Sequence, residues 1–181
     1  MQRKIYQKLL DWKNKINRKP LILEGARQVG KTWLMQELGK NEYKNCVYIN
    51  FDRESWAKNL FEQDYDINRI LLQLQAQSNQ RIIAGETLII FDELQEAPRG
   101  LSVLKYFYEE APEHHIVVAG SLLGITLHQG ESFPVGKVDV MQVKPLTFIE
   151  FLYAMGEDIK AMCIEEKRWD ILKAIAPQYE E

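Results

Sequence analysis

Residues 25 to 32, Gly25, Ala26, Arg27, Gln28, Val29, Gly30, Lys31 and Thr32, form a complete GxxxxGK[ST] pattern, and Trp33 follows directly. A loop with this spacing is built to wrap a chain of phosphates. Glycine permits the backbone angles and close approach that turn successive N–H groups inward, and a helix starting near Lys31 adds its positive dipole end. Lys31 would reach the β and γ phosphates, and the Thr32 hydroxyl would ligate Mg2+. The whole run Gly25 to Trp33 is therefore the candidate phosphate-binding set. A chance glycine turn is the alternative, and the apolar run before the loop and helical run after it count against that.

A phosphate loop needs an acidic partner before it can do more than bind. The apolar run Thr87 to Phe91 ends in Asp92 and Glu93. Asp92 is placed to hold the metal through water, and Glu93 to orient and deprotonate an attacking water. Without the loop, the same pair would read as a solvated strand end or helix cap. The run His115 to Ala119 leads through Gly120 to Ser121, a hydroxyl that is either an N-cap or a sensor of the γ-phosphate. Asn50 stands at the end of the second apolar run, where it could restrain the Glu93 side chain or form a turn with Asp52.

These groups must be positioned by strands and helices. Five short runs read as strands: Leu21 to Glu24, Cys46 to Phe51, Thr87 to Phe91, His115 to Ala119 and Val138 to Val143. Between the second and third, Asp66 can cap a helix with the apolar face Ile67, Ile70, Leu71 and Leu74. After the third, Pro98 suits a helix start, Leu101, Leu104, Phe107 and Tyr108 give its buried stripe, and Pro112 ends it. Alternating strands and helices imply a mostly parallel sheet covered on both faces, with ligands beyond the carboxyl ends of its strands. Phe148, Phe151, Leu152 and Met155 continue as a helix to Gly156. A further helix is expected through Ile159, Met162, Cys163 and Trp169 to Ile175.

At 181 residues and 46% hydrophobic content the chain can bury one sizeable core, and nothing approaches the apolar length of a membrane span. The N-terminus lacks a secretory signal, so a cytoplasmic location is expected. Cys46 and Cys163 are single and distant, which gives neither a disulfide framework nor a CxxC site. A zinc site built from His114, His115 and His128 is disfavoured, because adjacent residues of an extended chain face opposite ways. The net charge of −3 argues against a generally basic nucleic-acid binder. Yet residues 1 to 20 hold seven bases against Asp11 alone, with Ile5, Leu9, Trp12 and Ile16 on one helical stripe. That segment reads chiefly as a surface helix covering the domain, with an anionic partner such as nucleic acid as the sharper alternative.

The runs GARQVGKT, YINFD, IIFDELQ, LKYFYEEAP, AGSLLG and SFPVGKV together resemble the predicted bacterial and archaeal ATPases of the AAA+-like group. The resemblance covers roughly residues 1 to 156. It implies a P-loop NTPase three-layer α/β sandwich with a mostly parallel five-stranded sheet in the order 5-1-4-3-2. It implies ATP and Mg2+ as cofactors, with Gly25, Gly30, Lys31 and Thr32 as Walker A, Asp92 and Glu93 as Walker B, and Ser121 as sensor 1. On this basis residues 1 to 156 are expected to form the ATPase core, and residues 157 to 181 the start of a helical lid that continues beyond residue 181. Expected partners are a C-terminal domain or partner protein and a second copy of the chain. One departure concerns the arginine finger: the stretch from Gly124 to Val138 contains no arginine, and Lys137 lacks the planar fork of a guanidinium.

Two functions from different classes follow. One is Mg-dependent ATP hydrolysis that powers or switches a partner domain. The other is a nucleotide-dependent interaction or regulatory module with little hydrolysis. A GTPase is less consistent, since no NKxD segment follows the loop, and a small-molecule kinase would ordinarily lack the Asp-Glu pair.

Overall fold

The computed structural model describes residues 3 to 120 and 134 to 175. In chain order, α1 (Lys4–Lys13) precedes β1 (Leu21–Glu24), α2 (Lys31–Glu42) and β2 (Asn45–Asn50). The short α3 (Ser55–Lys58) and α4 (Ile67–Ser78) then lead to β3 (Thr87–Asp92), and α5 (Gly100–Glu110) to β4 (His115–Ala119). After β5 (Asp139–Gln142) come α6 (Phe148–Ala154), α7 (Asp158–Glu165) and α8 (Trp169–Ile175). The chain divides into two compact units, residues 9 to 144 and a smaller one made of residues 1 to 8 with 145 to 181.

The larger unit is the expected α/β sandwich. Its five strands are all parallel and lie in the order β2-β3-β4-β1-β5. All six residues of the interior strand β3 are buried, whereas β5 at one edge alternates between half-buried and exposed positions. A strand covered on both faces needs a continuous apolar run, and an edge strand does not. The register pairs Asn50 with Asp92 and Asp92 with Ala119, so the tips of β2, β3 and β4 end together. Behind Asp92 stands an aromatic cluster in which Phe91 meets Phe51 at 5.5 Å and Phe61 at 5.9 Å between ring centroids.

The helices follow the sequence logic with a few corrections. Asp66 caps α4 by accepting from the N–H groups of Asn68 and Arg69, and Ile67, Ile70 and Leu74 are buried. On α5 the buried set is Gly100, Val103, Leu104 and Phe107, while Leu101 and Tyr108 are only half-buried. The cause is Gly100, which has no room for a side chain against Leu94 and fixes the rotation of the helix. Leu9 and Trp12 of α1 are buried, but Ile16 lies beyond the end of the helix and is 98% exposed. Bases of the first twenty residues serve the fold: Lys13 bonds to Glu42, Lys15 to Asp139, and Lys19 to the carbonyl oxygen of Gly136.

In the smaller unit, Thr147 and Glu150 form a capping box at the start of α6, and the nearly buried Glu150 also meets Arg3. Phe148, Phe151 and Met155 are exposed. The single helix expected from Ile159 to Ile175 is two. Lys167 adopts a left-handed φ of 57°, and the N–H groups of Lys167 and Arg168 return to the carbonyls of Ile164 and Cys163, a Schellman closure that ends α7. Among the described residues no helix is long and apolar enough to cross a membrane.

At the opposite end of the sheet from Asp92, His115 is 8% exposed, with its Nδ1 2.7 Å from the Tyr43 hydroxyl and its ring edge-on to Trp12. Burial, reinforced by the charges of Arg18 and Lys13, pushes its pKa down to about 4. An unfolded histidine takes up its proton near pH 6.5, so the unfolded state gains protons first as the pH falls. Stability is therefore whole above pH 6.5 and declines toward pH 4, the full shift amounting to about 3 kcal/mol. Urea unfolding at pH 7 and pH 5 should show this decline, and His115→Gln should flatten it. The lowered pKa of the neighbouring His114 leaves a smaller slope of the same sign in that variant.

Candidate functional site

Between β1 and α2 the chain makes a loop that only some residues can make. Gly25, Gln28 and Gly30 all have positive φ, at 152°, 66° and 90°. A Cβ on Gly25 would run into the carbonyl oxygen of Val143, deep inside contact distance, so β5 and its continuation set the floor of the loop. Val29 is buried and anchors the loop, whereas Ala26, Arg27 and Gln28 are exposed. Helix α2 starts at Lys31 with no side-chain cap and no acidic residue in its first turn. The N–H groups of such a turn lack intrahelical acceptors and carry partial positive charge, which suits an anion.

The Lys31 ammonium donates to the carbonyl oxygens of Gly25 and Ala26 at 2.7 and 2.8 Å, folded back over the loop. The residue is 8% exposed. Burial lowers its pKa from the ordinary lysine value, while the charges of Glu93 and Asp92 pull the other way. The Thr32 hydroxyl donates to Asp92 Oδ2 at 2.9 Å, joining the loop to the tip of β3. Arg27, Gln28, Gly30, Lys31, Thr32, Trp33, Asp92 and Glu93 line one cleft of about 540 Å3. The residues singled out at positions 27 to 33, 92 and 93 thus meet in one place, apart from the buried Val29. Ser121 lies outside the described residues.

Tyr48 and Gln95, which the sequence did not reveal, complete the arrangement together with Asn50. The Tyr48 hydroxyl donates to the same Asp92 Oδ2 at 2.7 Å, and Asn50 Nδ2 donates to the Tyr48 oxygen at 3.3 Å. The Asn50 carbonyl oxygen accepts from the N–H groups of Asp52 and Arg53. Asn50 is therefore the turn residue and the brace of Tyr48, and its bonds do not go to Glu93. The carboxylate of Glu93 takes a hydrogen bond from Gln95 at 2.6 Å, with Glu93 itself in the left-handed conformation at φ 54°. Alternation along β2 puts Tyr48 on the face of Asn50, which was the one available signal. Lys137 forms an ion pair with Glu109 at 2.8 Å.

An all-parallel sheet with β1 between β4 and β5, and a glycine-bounded loop running from β1 into α2, define a P-loop NTPase fold of the AAA+ type. Residues 17–152 match the family described as AAA domain, and the chain belongs to that family. With membership comes nucleotide-dependent, ATPase-like function at the family level. A solved structure similar to this chain is that of C. elegans PCH-2, at 16% identity and a TM-score of 0.47. The similarity covers 88% of this chain and 44% of that one, so the chain spans less than half the length of that protein. No curated protein matches the sequence.

Proposed function

We propose that the chain binds ATP with magnesium in the cleft at the strand tips and hydrolyses it, the cycle switching a partner domain or protein. The observation that carries this reading is the Thr32–Asp92 hydrogen bond, which draws the loop and the acidic strand tip together over sixty residues of sequence. A hydroxyl that donates keeps its lone pairs, so Thr32 and the carboxylate of Asp92 offer hard oxygen donors of the kind magnesium prefers. When bound, the ion would neutralise charge on the β and γ phosphates. Lys31 then leaves the loop carbonyls for phosphate oxygens, a shift its flexible stem allows. Glu93, beside Asp92, orients the attacking water and accepts its proton. Ser121 remains the candidate sensor of the γ-phosphate, residues 1 to 156 the candidate ATPase core, and residues 157 to 181 the candidate start of a helical lid.

Calorimetry with an ATP analogue tests the binding half. Lys31→Ala is expected to weaken affinity about a hundredfold, because a buried charge facing the phosphates is lost. Equal affinity in wild type and variant would refute the site.

The second reading, a nucleotide-dependent interaction module with little turnover, draws support from the Gln95 bond on Glu93 and from the engagement of Lys137 by Glu109. Phosphate release by the isolated chain separates the two readings.

A further inference from the structure

Asp92 Oδ2 accepts two hydroxyl protons, one from Thr32 and one from Tyr48, and Asp92 is 3% exposed. A carboxylate oxygen with two donors is saturated in the directions they occupy, and two donors from different elements fix the plane of the group. Tyr48 comes from β2 and Thr32 from α2, so the carboxylate is clamped from both sides of β3's neighbourhood. Its other oxygen, Oδ1, takes a bond from the N–H of Glu93 at 3.2 Å. Tyr48 is in turn braced by Asn50, whose carbonyl is tied into the turn after β2. The network runs from that turn through the phenol to the acidic tip.

We infer that Tyr48 is a positioning residue for the magnesium-binding carboxylate, holding Asp92 in the plane from which it serves the cation. This rests on the proposed function of the same cleft. Apart from Tyr48, the carboxylate is held by the Thr32 hydroxyl on Oδ2 and by the adjacent Glu93 N–H on Oδ1, the latter a longer bond from the neighbouring residue of the same chain segment. The phenol supplies a further restraint, and it comes from the neighbouring strand β2 rather than from the helix that carries Thr32 or from the backbone next to Asp92. Outer partners of this kind commonly govern metal affinity without touching the metal.

The test compares the affinity of a non-hydrolysable ATP analogue for the full chain in EDTA and in Mg2+, by calorimetry, for wild type and Tyr48→Phe. The substitution removes one oxygen from a half-buried ring and leaves its packing in place. In wild type, magnesium should tighten binding. In Tyr48→Phe that gain should shrink about tenfold while the affinity in EDTA stays within about twofold of wild type. A Mn2+ titration followed by electron paramagnetic resonance, with the analogue present, should report the same weakening directly on the cation. Equal gains in the two proteins would overturn the inference and leave the proposed function standing. Equal losses in EDTA and in Mg2+ would also overturn it, since they would mark a role in the general shape of the cleft. A wild-type chain that gains nothing from magnesium would remove the reading of the site itself, and this inference with it.

Discussion

Glu93→Gln is expected to slow phosphate release by about 10²- to 10⁴-fold, the range typical of losing a general base, with nucleotide affinity changed by no more than a few-fold. The substitution is close to isosteric and leaves the backbone of residue 93 in its left-handed conformation. Neither the Thr32–Asp92 bond nor the hydrogen bonds of Lys31 to the loop carbonyls involve the Glu93 side chain, so these parts of the binding apparatus stay in place. The glutamine oxygen can still accept from Gln95, and what disappears is the capacity to take a proton. A non-glycine residue held at φ 54° costs of order 1–3 kcal/mol, and such strain is commonly retained where a side chain must be aimed. Phosphate release and calorimetry on the same preparations read out both halves. Turnover equal to wild type would take Glu93 out of the mechanism.

Gly25→Ala should have the largest structural effect in the loop. Its φ of 152° lies in a region that side-chain-bearing residues rarely adopt, and the added methyl group would collide with the Val143 carbonyl. That carbonyl cannot yield easily, because the N–H of Val143 donates to Glu24 at 2.7 Å and continues the ladder between β1 and β5. Relief therefore requires moving either the ladder or the loop, at a cost of roughly 2–4 kcal/mol. Urea unfolding should record the loss in stability. Calorimetry should record at least a tenfold loss in analogue affinity, because the loop is displaced from the position in which Lys31 and Thr32 work. Wild-type values in both measurements would show that β5 does not support the loop as described.

Most of the architecture was legible because the central strands are short, apolar and unbroken. Thr87 to Asp92 is buried at every position, and its sequence has no polar interruption before the terminal carboxylate. The loop from β1 into α2 was legible for a different reason: its glycines stand where the backbone takes positive φ, which a spacing pattern captures directly. Edge and surface helices were harder. The stripe on α5 is rotated by the contact of Gly100 with Leu94, and no periodicity reports that contact. In α6 the buried residue is the charged Glu150, held by its cap and by Arg3, while Phe148 is 65% exposed. Tyr48 and Gln95 escaped because their roles depend on which side chains face each other across strand tips. The register that pairs Asn50 with Asp92 becomes visible only once β2 and β3 are aligned.

The placement of β1 has a consequence for how the chain is made. Residues 21 to 24 are synthesised well before their hydrogen-bonding neighbours, which are residues 115 to 119 and 139 to 142. At ordinary translation speeds, roughly 5–20 s pass before the first of these is synthesised. Throughout that interval the apolar Leu21, Ile22 and Leu23 lack the two strands they pair with in the native sheet, which lengthens the time in which their backbone is open to wrong pairings.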